Sequence, residues 1–371
     1  MLEELIKISH YYGSNPDYVI AGGGNTSFKD QETIWIKASG IPLAGIGREG
    51  FVSLAREGLA RMEEMPFSED PVRREEEVKE EMKKAIISPE GLRPSVETSL
   101  HNLIAYAYVI HTHPTLVNAL MCANDVDREV KERFGDRAIL VEYTDPGYML
   151  FKKLQGQIAS YRARERKDPQ IIFLQNHGVF VGAQTVEEVR AIYKEIEEKI
   201  TFDRDLRLPS AEARDLDSPV SAALASYFTS RSLYCRTVLC ELVSHFTRDL
   251  STMEKVSRPF SPDIIVYCKS SYLFLWKDTG PDEIPAAVEN FESRYGYYPK
   301  VILQEGGGLS VVEENEKSLK TVLDVFLDLM KISYLSEQFG GPHFMSPEQI
   351  RFIDNWEVEH YRRKIAKGKS E

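Results

Sequence analysis

The sequence has 371 residues, of which 42% are hydrophobic, 10% aromatic and 28% charged. At roughly 150 residues per domain this is two to three domains of chain with enough apolar side chains to build cores, so bulk disorder is excluded. Lys and Arg number 46 against 58 Asp and Glu, a formal charge of -12, which excludes a general nucleic-acid or anionic-membrane surface. An anionic ligand would need positive potential built locally.

The longest apolar stretches, such as Ile171 to Leu174 and Tyr272 to Trp276, fall far short of the roughly 20 residues of a bilayer span. The chain opens Met1-Leu2-Glu3-Glu4 without a basic region and apolar core, so no signal peptide is expected and the protein is placed in the cytoplasm. Cys122, Cys235, Cys240 and Cys268 form no CxxC pair, as expected of reduced thiols rather than a disulfide frame or a cysteine zinc site.

In chain order, a helix is predicted over Leu2 to Tyr12, followed by the glycine run Gly22-Gly23-Gly24-Asn25. A hairpin follows, from Thr26 to Lys29 and Thr33 to Lys37, closed by the corner Ser39-Gly40. Residues 51 to 88, dense in Glu, Arg and Lys, read as solvated helix. After Pro94 the pattern predicts a helix from Ser95 to Tyr106 and a buried strand from Ala107 to Ile110 leading into His111-Thr112-His113-Pro114. Next come a helix from Thr115, a strand near Ala138 to Tyr143, the corner Asp145-Pro146-Gly147 and a helix to about Arg164. Then follow a strand from Ile171, the turn Asn176-His177-Gly178, a strand from Val179 and a helix from Thr185 to Ile200. This alternation predicts a mixed α/β domain over residues 1–208. A polar, proline-punctuated stretch from Arg207 to Pro219 separates it from a second, smaller α/β domain over 209–371. That domain repeats some of the same grammar: Pro299 to Ile302, Gly306-Gly307-Gly308, Leu309 to Val311 and a helix from Glu316. The repetition suits a degenerate duplication or convergent strand-turn-strand-helix chemistry.

Side chains two apart on a strand share a face, so His111 and His113 can reach one metal ion, and His177 projects from an exposed turn. Three imidazoles leave a tetrahedral divalent ion one open position. Glu97 stands at a helix start with His101 one turn later on the same face, as a helix-terminal charge or, beside a metal, a base. The glycine run with Asn25, the Ser39-Gly40 corner and Ser95 offer backbone N–H groups and hydroxyls to an anion, with Lys37 and Arg93 as nearby cations.

Gly24-Asn25-Thr26-Ser27, Lys37-Ala38-Ser39-Gly40, Ser95-Val96-Glu97 with His101, His111-Thr112-His113-Pro114, Tyr143-Thr144-Asp145-Pro146-Gly147 and Asn176-His177-Gly178 together resemble the class II aldolase/adducin family over about residues 1 to 205. The nearest likeness is to the aldolase part of bifunctional rhamnulose-1-phosphate aldolase/alcohol dehydrogenase proteins, extending through Ser261-Pro262-Asp263 and the tail Asn355-Trp356-Glu357-Val358-Glu359. Those proteins continue into a short-chain dehydrogenase domain. No GxGxxG follows a strand here, so no NAD is expected.

The resemblance implies a class II aldolase-like mixed sheet flanked by helices, and Zn2+ or another divalent ion held by His111, His113 and His177. It implies that Glu97 alternates between metal ligand and base, and that Gly24, Asn25, Ser39, Gly40, Ser95 and Lys37 bind the substrate phosphate, with Tyr143 at the position of the acid. The implied reaction is retro-aldol cleavage of a ketose 1-phosphate to dihydroxyacetone phosphate and an aldehyde, in a homo-oligomer such as a tetramer. Val96 departs from aldolases with a second serine there, pointing to a different grip or a different anion. Epimerisation or decarboxylation of a sugar-acid phosphate at the same site, and an adducin-like scaffold, are the alternatives. Site chemistry decides between them.

Overall fold

A computed structural model describes residues 1–89 and 91–355, so residues 356–359 of the tail motif lie outside the described residues. The chain forms two compact units, Met1–Met121 with Val126–Asp203, and Cys122–Asp125 with the chain from Arg204 onward.

The first unit begins with α1 (Leu2–Gly13), β1 (Asn25–Lys29), β2 (Thr33–Lys37) and β3 (Phe51–Ala55), then α2 (Arg56–Glu64), α3 (Pro71–Lys84) and β4 (Ile86–Ser88). It continues through α4 (Thr98–Leu103), β5 (Tyr108–Thr112), α5 (Thr115–Met121), α6 (Val126–Phe134), β6 (Ala138–Val141) and α7 (Tyr148–Glu165). It closes with β7 (Ile171–Leu174), β8 (Gly178–Ala183) and α8 (Val186–Thr201). The eight strands form one mixed sheet, ordered β4-β3-β2-β1-β5-β8-β7-β6, in which β6 and β7 are parallel and the other neighbouring pairs antiparallel. Helices cover both faces. On one, Leu100 of α4 and Leu154 and Ile158 of α7 pack with Val109, Ile172 and Phe180 of the sheet. On the other lies α8, fixed at its start by the reciprocal Thr185–Glu188 capping box and burying Val189, Ile192, Tyr193 and Ile196 at helical spacing.

Two expectations are corrected. The charged stretch 51–88 is not helix throughout. The short apolar run at Phe51 forms β3, and Ile86–Ser88 forms β4 against it. Nor is its face wholly solvated, since the side chains of Arg74 and Glu75 are 12% and 19% exposed and Glu75 accepts the Tyr148 N–H at 3.2 Å. The helix expected from Ser95 to Tyr106 is confined to Thr98–Leu103. Ser95 is held in a turn by the Thr98 hydroxyl, which donates to its carbonyl at 2.6 Å, and Ile104 is already extended.

The second unit comprises β9 (Arg214–Asp215), α9 (Pro219–Ser230), β10 (Tyr234–Leu239), α10 (Glu241–Phe246), α11 (Leu250–Glu254), α12 (Pro262–Cys268) and β11 (Leu273–Leu275). It ends with α13 (Ile284–Tyr295), β12 (Val301–Gln304), β13 (Leu309–Glu313), α14 (Glu316–Ser336) and α15 (Pro347–Asn355). Its sheet runs β11-β12-β13-β10-β9, with β11 and β12 parallel and the rest antiparallel. All four cysteines are free.

Candidate metal centre

Residues directly opposite each other on antiparallel strands share a face, and the registers Asn25↔His111 and His111↔Phe180 set these three in one row across β1, β5 and β8. His111 is fully buried, its ring stacked on Phe180 at 4.0 Å between centroids and 16° between planes. Its Nδ1 lies 3.0 Å from the carbonyl oxygen of Val179. That oxygen only accepts, so Nδ1 carries a proton and Nε2 is the ring nitrogen turned toward His113 and His177. Thr112 faces the other way, its hydroxyl 2.7 Å from that of Tyr193. His113 follows β5, with its N–H bonded to the Tyr18 carbonyl at 3.1 Å.

His177 ends the three-residue turn between β7 and β8. Asn176 in this turn is left-handed at φ 55°, and its N–H bonds the Met121 carbonyl at 3.1 Å. Gly178 is required by close approach: a Cβ there would lie 2.5 Å from the Thr112 carbonyl oxygen and 2.7 Å from His113 Cδ2.

The three rings converge. One ligand atom from each of His111, His113 and His177 falls within 4.8 Å of the others. His111 Nε2 is 3.0 Å from His113 Nε2 and 3.4 Å from His177 Nε2. Nitrogen lone pairs turned on one another repel unless a cation or protons lie among them, so the donor set fits a divalent ion. Glu97 Oε1 joins the cluster at 3.2 Å from His111 Nε2 and 3.8 Å from His177 Nε2. Burial opposes the charge on Glu97, yet His111, which also hydrogen-bonds it, and His177 prevail and hold it well below the usual carboxylate range.

β1 sends every second side chain to α4. Asn25 Nδ2 approaches Glu97 Oε2 at 3.4 Å, the Ser27 hydroxyl lies 2.7 Å from His101 Nδ1, and Lys29 Nζ donates to the His101 carbonyl at 2.7 Å. All three are at least nine-tenths buried. They fix the rotation of the helix at whose start Glu97 sits. His101 itself is buried edge-on against Phe180, and burial holds its pKa well below the ordinary value despite the neighbouring Glu97. Burial, reinforced by Arg56, likewise holds Lys29 well below the usual lysine range. Sequence reasoning missed Ser27, Lys29 and Phe180. The signal available was the polar period of two in Asn25-Ser27-Lys29.

The residues expected to bind phosphate lie in a connected run beside the cluster. Ala38 pairs with Pro94, and the Ser39 N–H bonds the Arg93 carbonyl at 2.8 Å, which joins the Ser39-Gly40 corner to Ser95. Gly40 is left-handed at φ 81°, and the Ser95 hydroxyl accepts the Glu97 N–H at 3.2 Å. Gly24, at φ 70°, packs so that a Cβ would lie 3.1 Å from the His111 carbonyl oxygen. Asn25 Oδ1 is buried without a hydrogen-bond partner. Lys37 is buried with Nζ 3.5 Å from the Ala38 carbonyl. Tyr143 lies two residues beyond β6 and is tied to the His177 turn by its N–H, which donates to Gln175 Oε1 at 3.1 Å.

A curated relative, the uncharacterized oxidoreductase YuxG of Bacillus subtilis (strain 168), is 28% identical over 198 residues. The match covers 50% of this chain and only 27% of that protein. Among solved structures, the N-terminal class II aldolase domain of a conserved Thermoplasma acidophilum protein is 25% identical. It covers 53% of this chain and 90% of its own, at a TM-score of 0.45. An L-fuculose 1-phosphate aldolase is 22% identical over 57% of this chain and 91% of its own, at a TM-score of 0.38. The model of the Class II Aldolase and Adducin N-terminal domain matches residues 3–201, more than half of the sequence, and the chain belongs to that family.

Proposed function

We propose that this protein is a divalent-metal-dependent sugar-phosphate aldolase, with zinc as the resident ion, that cleaves a ketose 1-phosphate into dihydroxyacetone phosphate and an aldehyde. The convergence of His111, His113 and His177 on one point beside Glu97 carries this reading. Family membership agrees with it, while the adducin branch of the family makes membership alone insufficient.

His111, His113 and His177 hold the ion, which when bound supplies Lewis-acid polarisation of the substrate carbonyl and adjacent hydroxyl. Asn25, Ser39, Gly40, Ser95 and Gly24 orient the phosphate through short donors and backbone N–H groups, with Lys37 contributing charge. In condensation the Glu97 carboxylate takes a proton from C3 of dihydroxyacetone phosphate, the C3–C4 bond forms to the aldehyde carbon, and the Tyr143 phenol gives its proton to the aldehyde oxygen, which becomes the C4 hydroxyl. Cleavage reverses each transfer, from protonated Glu97 and the Tyr143 phenolate. Glu97 suits this work because its charge is sustained by the imidazoles beside it while its side chain is only 15% exposed. We assign these steps to residues 1–208 and leave 209–371 outside the reaction.

Metal analysis and a ketose 1-phosphate panel assayed for dihydroxyacetone phosphate test the proposal. About one ion per chain and release from at least one substrate are expected. An isomerised or decarboxylated product without dihydroxyacetone phosphate would replace cleavage with the alternative chemistry. A chain that takes up no metal after reconstitution would leave the scaffold.

A further inference from the structure

The hairpin that carries His177 recurs in the second unit with its hydrogen bonds intact. In the first unit the N–H groups of Gln175, Asn176, His177 and Gly182 bond the carbonyls of Val141, Met121, Leu174 and Gln170 at 2.9, 3.1, 3.2 and 2.9 Å. In the second, those of Glu305, Gly306, Gly307 and Val312 bond Leu275, Thr247, Gln304 and Lys300 at 2.9, 2.6, 2.9 and 2.9 Å. The middle turn residue is left-handed in both, Asn176 at φ 55° and Gly306 at φ 66°. The glycine that starts the next strand is pressed on a neighbouring carbonyl in both. A Cβ would meet Thr112 O at 2.5 Å from Gly178 and Val238 O at 2.6 Å from Gly308.

Strand pairing follows the same frame. Phe173↔Val179 and Thr112↔Val179 in the first sheet become Leu303↔Leu309 and Val238↔Leu309 in the second. A parallel strand lies outside each hairpin, Val141 opposite Leu174 and Leu275 opposite Gln304. Each hairpin leads into a helix capped by its N-terminal side chain, Thr185 and Asn315. An antiparallel hairpin beside a third strand is common. A common turn length, one left-handed position and bonds to matching distant carbonyls constrain the whole frame.

The registers place Thr237 where His111 stands, Leu239 where His113 stands and Gly307 where His177 stands. We propose that the second unit is a copy of the metal-binding half of the first, and that the backbone cradle of a divalent-cation site persists there with its ligands replaced. This rests on the three histidines being the metal ligands of the first unit. The side chains show how the replacement was filled: where His111 stacks on Phe180, the Thr237 hydroxyl bonds that of Ser310 at 2.8 Å. A Cβ at Gly307 would lie 2.5 Å from Oε1 and 2.9 Å from Cβ of Gln304, so a side chain there requires Gln304 to shift.

The test is the full chain carrying Thr237→His, Leu239→His and Gly307→His, titrated with Co2+ and read by visible absorption and by metal content after desalting. The parent is expected to hold about one ion and the variant about two. Adding His111→Ala, His113→Ala and His177→Ala to the variant should leave about one, with the absorption of a low-coordinate cobalt site. A variant that folds like the parent by circular dichroism and thermal melting, yet binds no ion beyond the parent's, overturns the proposal. If the triple variant does not fold, Leu239→His with Gly307→His keeps the Thr237–Ser310 bond and should give weaker Co2+ binding absent from the parent. No gain there also overturns it. A parent without metal refutes the first-unit ligand assignment, while a gain over that baseline in the variant upholds the copied cradle.

Discussion

Gly178→Ala tests the geometry of the metal centre without reference to any substrate. The added Cβ would stand 2.5 Å from the Thr112 carbonyl oxygen and 2.7 Å from His113 Cδ2. Carbon atoms settle at about 3.5 Å or more, so the overlap with the His113 ring is on the order of 0.8 Å. Thr112 is held by its place in β5 between β1 and β8, which leaves the His113 ring and the start of β8 to yield. Metal–ligand distances tolerate only about 0.2 Å, so the expected cost is roughly 10–100-fold in affinity, or about 1.4–2.7 kcal/mol. Competition against a calibrated chelator reads the affinity. Melting of the metal-free protein reads the separate strain, about 1–3 kcal/mol for an overpacked site. Gly308→Ala is the comparator, because its Cβ would press on Val238 O at 2.6 Å in the second unit, so it should lower stability and leave metal affinity alone. A Gly178→Ala protein whose affinity stays within about threefold of the parent would refute the placement of His113 as a ligand held by this contact.

Glu97→Gln keeps the shape of the side chain and should keep much of the metal while losing turnover by roughly 10²–10⁴-fold, read as kcat in the dihydroxyacetone phosphate assay; an unchanged kcat removes Glu97 from proton transfer. For Lys29 the folded pKa lies below the ordinary value of 10.5, so between the two the unfolded chain binds more protons and stability rises with pH across that window. Lys29→Met removes this slope. In urea melts the parent should therefore gain on the variant as pH is raised from the folded value toward 10.5, and a gap that shrinks with rising pH would contradict the burial assigned to Lys29. Gly156 lies inside α7 with open space around its Cβ position, so Gly156→Ala should stabilise by about 0.5–1 kcal/mol in thermal melts; destabilisation would show that the glycine serves a contact absent from the chain's own fold.

Much of the first unit was legible because its signals are local. The helical spacing and capping residues of α8 identify it, and the His111-Thr112-His113 triplet at the end of a β-branched run marks both a strand and a candidate ligand pair. What was not legible depends on neighbours distant in sequence. β3 and β4 are short apolar segments beside long charged helices, and composition over a window hides them. The Ser27–His101 and Lys29–His101 bonds join positions 74 and 72 residues apart, so nothing nearby distinguishes Lys29 from a surface lysine. Arg74 and Glu75 were lost in a charge run for the same reason: their burial comes from the start of α7, at Tyr148.

The two hairpins separate what a backbone decides from what side chains decide. Both place a three-residue turn against a neighbouring strand by the same hydrogen bonds, so the path of the chain does not by itself make a metal site. In the first, His177 meets His111 and His113, Phe180 supports the His111 ring, and the Val179 carbonyl accepts from its Nδ1. In the second, the matching positions carry Gly307, Thr237, Leu239 and Ser310, which offer a hydroxyl pair and an apolar side chain to any cation. On the proposed reading, a handful of substitutions rather than a difference in fold separates the two hairpins. The same reasoning bears on charge. Lys29 lies beside the candidate site, but burial weakens its hold on a proton, so it supplies less positive potential than a count of basic residues implies. In a chain of net charge -12, the proposed phosphate site then relies on Lys37 and on hydrogen-bond donors at the Ser39-Gly40 corner and Ser95.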